Sequence, residues 1–218
     1  VRSTNLEVVE FYQRCGYELE DRASLGKQLR GQLKSPADPV PVLQIDDQIS
    51  LTPISNNDKP AYLAHLNETD EFQTNLASMP YPYTDLDADQ WLSRALEESL
   101  AVNRSRSWAI RNENGELVGG AGLMDMTKGE KAEIGYWLAK PYWGRGIMTQ
   151  VVRCLCDFAF AEYRLCRIHA RVFSANTASA KVLTKVGFVH EGTQRKHSFQ
   201  IGQPVDVLLY GLLRKQTP

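Results

Sequence analysis

The chain has 218 residues, 43% of them apolar and 23% charged, with a formal net charge of -1. That length accommodates one ordinary domain plus a short extra piece, and the composition is that of a globular protein able to bury a core. A near-neutral balance provides no long-range field toward nucleic acid or an anionic membrane, so neither is expected as a partner.

Residues 1–34 carry a partial repeat of a later stretch. Val1, Ser3, Asn5, Arg14, Gly16 and Tyr17 align with Val172, Ser174, Asn176, Lys185, Gly187 and Phe188. Both copies follow one plan: a strand end, an asparagine opening a helix, then glycine and an aromatic residue opening a strand. The first copy has no counterpart of the glycine-bearing loop near residue 144, so it is expected to bind no ligand alone. Pro36, Pro39 and Pro41 then predict an extended linker over residues 35–45. A complete domain is expected over 46–218.

Within that domain, Ile49–Ile54 alternates like a strand, and a helix is expected from near Asn57 through Leu66. Met79-Pro80-Tyr81-Pro82-Tyr83 is predicted to be a loop. A second helix follows Asp87, with Trp91 read as core. Strands at 107–111 and 117–124 flank Asn114-Gly115, a strong hairpin turn. A strand at 132–139, a helix at 146–163, a strand at 165–173 and a helix at 177–186 stopped by Gly187 come next. Strands at 188–193 and 205–213 close the chain. Mixed strands and helices with hairpins near both ends predict an α/β fold with a mixed sheet.

The chemistry concentrates at a strand, a turn and a helix. Trp143-Gly144-Arg145-Gly146 precedes Ile147-Met148-Thr149. A helix start presents unpaired N–H groups and the positive end of the macrodipole, and glycines let a pyrophosphate approach the backbone. Arg145 adds charge. Neither Cys15, Cys154, Cys156 and Cys166 nor the four histidines have metal-site spacing, so no metal is expected. The cysteines are expected as reduced thiols of a cytoplasmic protein. No apolar run reaches the ~20 residues of a membrane span, and the first residues hold no apolar signal core.

Taken in order, these phrases resemble the GNAT acetyltransferase superfamily, whose cofactor motif is Gln/Arg-x-x-Gly-x-Gly/Ala. Gly144 and Gly146 occupy its small positions, while Pro141 stands where Gln or Arg is usual. The chain resembles most the RimJ/RimL-like branch, through Pro80-Tyr81-Pro82-Tyr83, Ile134-Gly135-Tyr136-Trp137-Leu138, Tyr142–Gly146, Asn176–Leu183, Lys185–Phe188 and Glu191-Gly192. The likeness covers roughly 46–214, and residues 1–34 look like the tail of a second such domain.

The resemblance implies a GNAT fold, a mixed and mostly antiparallel sheet flanked by helices. It also implies direct acetyl transfer from acetyl-CoA to an amine, which must first lose a proton to a base. Glu133 is the candidate base. Ser179 is the candidate donor to the leaving thiolate, because the tyrosine many relatives carry on that helix is replaced by Val182 and Leu183. The backbone of Trp137 and Leu138 is expected to pair with the pantetheine arm. Asn176 is expected to cap its helix and lie beside that arm. Tyr81 and Tyr83 are candidate acceptor-site residues, and His197 is the histidine placed nearest a substrate. The acceptor is expected to be a protein N-terminal amine. Alternatives are a small amine (polyamine or aminoglycoside) or a non-catalytic module sensing acyl-CoA, and a homodimer is compatible with any of these.

Overall fold

A computed structural model describes residues 40–76, 79–99 and 105–215. These belong to the unit Ala37–Pro218. The repeat over 1–34 and residues 35–39 of the linker lie outside the described residues.

The described strands are β1 (Leu43–Gln44), β2 (Ser50–Pro53), β3 (Arg106–Arg111), β4 (Leu117–Thr127), β5 (Lys131–Leu138), β6 (Arg167–Phe173), β7 (Val189–Gln200) and β8 (Gln203–Leu213). They form a sheet ordered β1-β2-β3-β4-β5-β6-β8-β7. Neighbours run antiparallel except β5 and β6. The mixed, mostly antiparallel sheet is as expected, but it begins at Leu43, inside the stretch read as linker, because Leu43 and Gln44 pair with Leu51 and Ser50.

Five α-helices flank the described sheet: α1 (Lys59–Leu66), α2 (Glu71–Asn75), α3 (Asp85–Ser99), α4 (Ile147–Glu162) and α5 (Thr177–Val186). Helix α2 was not anticipated, since five residues are too few for a helical period to show. Along α4, Ile147, Met148, Val151, Val152, Leu155, Cys156 and Ala159 are buried, the stripe that a period of 3.6 places on one face. Burying each large aliphatic among them contributes about 1.5–3 kcal/mol.

Two apolar layers result. Helix α4 and Leu183 of α5 pack with Trp108, Ile110, Leu123, Ile134 and Leu138, while Tyr62, Phe72, Tyr83 and Leu92 pack with Ala109, Leu117 and Trp137. Ile134 and Leu138 thus go to one face and Trp137 to the other, the alternation of a strand. Strand β4 is buried almost throughout because both of its faces are covered. At the far edge β7 is mostly exposed and carries Arg195 and Lys196, charges suited to an unpaired edge.

Candidate active site

Strands β5 and β6 pair over only Lys131–Glu133 and Arg167–His169. Both continue beyond that point, to Leu138 and Phe173, without pairing to each other. The sheet therefore opens into a slot in its middle. A cavity of about 600 Å³ occupies the opening, lined among others by Glu133, Tyr136, Trp137, Arg171, Asn176 and Ser179.

Which backbone groups face the slot follows from the β4–β5 ladder. Ala139 N–H donates to Val118 at 2.8 Å, and Gly120 and Trp137 are paired two residues along. In an antiparallel ladder the groups of alternate residues point the same way, so those of Trp137 belong to β4 and those of Tyr136 and Leu138 face the slot. Pairing by Trp137's backbone is corrected on that ground. Trp137 contributes its ring, 5.5 Å from Tyr62 and 6.1 Å from Phe72 between centroids. The Leu138 carbonyl accepts from Trp143 Nε1 at 2.5 Å, so its N–H is what remains for a ligand.

The turn after β5 offers a cradle. Gly144 and Gly146 have φ of 74° and 80°, the left-handed region that favours glycine. A Cβ on either would meet no atom within 4 Å, so the space before them is open. Among the described residues nothing accepts from the N–H groups of Gly144, Arg145, Gly146, Ile147 or Met148. Successive free donors at the start of a sixteen-residue helix are the kind of backbone group that can hold an anion. Arg145 has its guanidinium 5.4 Å from the Tyr142 ring and no carboxylate partner among the described residues. Ile147 and Met148 could meet a ligand only through N–H, their side chains being core. Thr149 N–H is already bonded to the Gly146 carbonyl at 3.1 Å, which leaves only its hydroxyl for a ligand.

Glu133 is 9% exposed, and its carboxylate accepts from Arg171 Nε at 3.0 Å. His169 Nε2 lies 3.8 Å away, and burial depresses the pKa of that imidazole. The ion pair fixes where the carboxylate points and offsets its charge. Ser179 lies in the first turn of α5, its N–H held by the capping oxygen of Asn176 at 3.0 Å. Asn176 also donates to the Asn75 carbonyl at 3.3 Å, tying α5 to the end of α2.

The two candidate tyrosines part company. Tyr83 is buried and lines the cavity, with Asn67 clamping its backbone N–H and carbonyl at 2.8 Å each. Tyr81 is 38% exposed and does not line the cavity, because only Tyr83 is drawn inward by that clamp. Trp91, read as core, packs against the layer of Tyr62, Phe72 and Leu92 and also joins Asp87, Gln90 and Arg94 on the face of α3 that lines the cavity. The Tyr83 hydroxyl and Trp91 Nε1 are both buried without a partner. Trp91 N–H does lie beside the Tyr62 hydroxyl, but makes no hydrogen bond to it. Burial holds the Tyr83 hydroxyl protonated, since its pKa is driven well up.

His197 also lines the cavity. Between Gln194 and Ser198 the β7–β8 register shifts at a bulge, with Lys196 at φ 50° and its N–H on Asp206 Oδ1 at 2.8 Å. Such bulges re-aim side chains. Tyr136 was given no role by the sequence, although its hydroxyl stands 2.9 Å from Ser179 Oγ. No pattern links two residues 43 apart, so nothing in the sequence could have paired them. Arg171 did leave a signal, a charge within an apolar strand.

Among the described residues no cluster of His, Cys, Asp and Glu could hold a metal, and no helix is long and apolar enough to cross a membrane. Cys154, Cys156 and Cys166 are free, and burial pushes the Cys156 thiol up to about 12.

Residues 48–189 match the family described as "Acetyltransferase (GNAT) domain". The chain is similar to the uncharacterized N-acetyltransferase p20 of Bacillus licheniformis, at 33% identity over 138 residues, 62% of this chain and 77% of that one. Among solved structures it is similar to Mycobacterium smegmatis RimJ in complex with CoA-disulfide, at 26% identity and a TM-score of 0.68, covering 81% of this chain and 88% of that one. RimL, a ribosomal L7/L12 α-N-protein acetyltransferase in complex with coenzyme A, shares the fold at 19% identity and a TM-score of 0.73, covering 79% of this chain and 98% of that one.

Proposed function

The chain belongs to the acetyltransferase (GNAT) domain family, and from that premise we propose that it transfers an acetyl group from acetyl-CoA to the amine at a protein N-terminus. The observation that carries the cofactor half is the row of free N–H groups over residues 144–148, beside a slot lined by unpaired β5 backbone. The pyrophosphate would rest on that row, with Arg145 beside it, and the pantetheine arm would run along Tyr136 and Leu138. Pro141 contributes no N–H, so the cradle works chiefly through the backbone that follows it. Bound acetyl-CoA supplies the acetyl thioester. Glu133 and Ser179 both line the cavity; Glu133 would receive the amine proton directly or through water, and Ser179 would meet the leaving thiolate with its hydroxyl. Free thiols fit a cytoplasmic location.

The acceptor half rests on which polar groups of the cavity still need partners. Its carboxylates are Asp87, Asp125 and Glu133. Asp87 is occupied by Thr84, whose N–H it accepts at 2.8 Å, and Glu133 is held by Arg171. Asp125 makes no hydrogen bond or ion pair among the described residues and only feels the charge of the same arginine. What remains without a partner is mostly donors: Trp91 N–H, the Tyr83 hydroxyl, and Arg94, whose guanidinium lies 5.4 Å from the Trp91 ring. A peptide offers carbonyl oxygens to such donors, whereas a protonated polyamine offers none.

An acetyl-CoA turnover assay over N-terminal peptides, spermidine and an aminoglycoside tests both halves. A peptide is expected to exceed spermidine in kcat/KM by at least about a hundredfold. Spermidine turned over as well as any peptide would overturn the acceptor assignment. Acetyl-CoA bound but never turned over would favour a sensing module instead.

A further inference from the structure

The side chain of Tyr136 has no part in the transfer outlined above, yet its hydroxyl contacts Ser179 directly. Its hydroxyl lies 2.9 Å from Ser179 Oγ and 3.4 Å from the Ser179 carbonyl oxygen. Both oxygens are held by fixed elements. Tyr136 sits in the β4–β5 ladder opposite Ala121, and Ser179 is locked in the first turn of α5 by the Asn176 cap. Both side chains line the cavity.

The direction of this hydrogen bond decides what Ser179 can do. A serine hydroxyl has one proton and rotates freely, so alone it is a poorly aimed donor. Burial drives the Tyr136 pKa well above its ordinary value, so the phenol keeps its proton. Its titratable neighbours are Cys156 on α4 and Tyr210 on β8. Either hydroxyl can donate across the 2.9 Å contact, and the phenol also reaches the Ser179 carbonyl. As the more acidic hydroxyl the phenol is the better donor to Oγ, and with its proton there the serine proton is free to point into the cavity that Ser179 lines.

We infer that Tyr136 is a positioning residue for the leaving group: by donating to Ser179 Oγ it turns the serine proton toward the sulfur of departing CoA. The inference rests on the acetyl-transfer function proposed above. As the amine nitrogen bonds to the thioester carbon, the C–S bond breaks and its electron pair moves onto sulfur. Ser179 donates a hydrogen bond to that sulfur and keeps its proton. The proton shed by nitrogen passes to Glu133 or water, and a proton from water neutralises the thiolate. A buried, oriented donor of this kind is worth far more than one in solvent.

The thiol of bound CoA reports the arrangement without any acceptor amine. Its ionisation is followed by thiolate ultraviolet absorbance on the whole protein, with desulfo-CoA as the blank. In the wild type the bound thiol should ionise below the ~8.5 of a free thiol. Tyr136→Phe should raise that value by about one unit, a tenfold change, and Ser179→Ala should do the same or more. Tyr136→Phe should add nothing in the Ser179→Ala background, and by itself should lower kcat about tenfold with KM for acetyl-CoA unchanged. A bound thiol indifferent to Tyr136→Phe, or an equal shift with Ser179 already gone, would overturn the positioning role alone. Failure of the wild type to bind CoA would overturn the acetyl-CoA assignment and this inference with it.

Discussion

At the scale of single residues, Gly144 shows what the site demands of its backbone. Its φ is 74°, and no packing contact fills the space before it. Gly144→Glu is therefore expected to abolish acetyl-CoA binding in calorimetry while leaving the fold intact, because a carboxylate would occupy the cradle and the left-handed angle costs only about 1–2 kcal/mol. Unchanged affinity would remove the pyrophosphate from this loop. Tyr83 makes the corresponding case for the acceptor, as its hydroxyl is buried without a partner. Tyr83→Phe should raise KM for a peptide several-fold and leave KM for acetyl-CoA as it was. A fall in kcat alone would place that hydroxyl at the reacting atoms instead.

At the scale of elements, the site depends on ties that hold helices to the sheet. Asp58, in the 3-10 turn ahead of α1, meets Arg111 of β3 at 2.9 Å and accepts from Ser55 N–H at 2.8 Å. Arg111 also donates to Thr52 of β2 at 2.7 Å. Because both charges are largely buried, Asp58→Ala strands a guanidinium and should cost about 3–5 kcal/mol, read from urea unfolding. A loss below about 1 kcal/mol would mean that water already screens the pair. The same scale explains how the glycines of β4 serve the cavity. A Cβ on Gly120 would lie 2.6 Å from Trp137 Nε1, so the bare strand is what lets the indole lie across it.

For the whole molecule, pH reveals how the β7–β8 hairpin is anchored to the sheet. The Arg167 guanidinium of β6 holds the Glu191 carboxyl of β7 below the usual carboxylate range. A carboxyl depressed in the folded state contributes stability that is fully present above its ordinary value of 4.5 and is lost as pH falls through the folded value. Glu191→Gln should therefore leave a flatter Tm-against-pH curve below about pH 5 and little change near neutrality. An unchanged acid limb would show that Glu191 is as well solvated folded as unfolded.

Patterns confined to one stretch of chain were legible in the sequence. The period of α4, the Asn176 cap, the Asn114-Gly115 turn and the glycines before α4 each depend on neighbours a few residues away, and the family likeness rests on those same phrases. Contacts between distant stretches were decided only by the tertiary structure. It sent Trp137's backbone to β4, because ladder register sets which way an amide points. It separated Tyr83 from Tyr81, because Asn67 reaches across 16 residues to hold just one of them. It placed Tyr136 against Ser179 and Arg171 against Glu133, since β5, β6 and α5 meet only in the folded sheet. Local sequence thus determined the elements and the glycine-bearing turn before α4, whereas the aim of each polar group in the slot came from packing between elements that no period encodes.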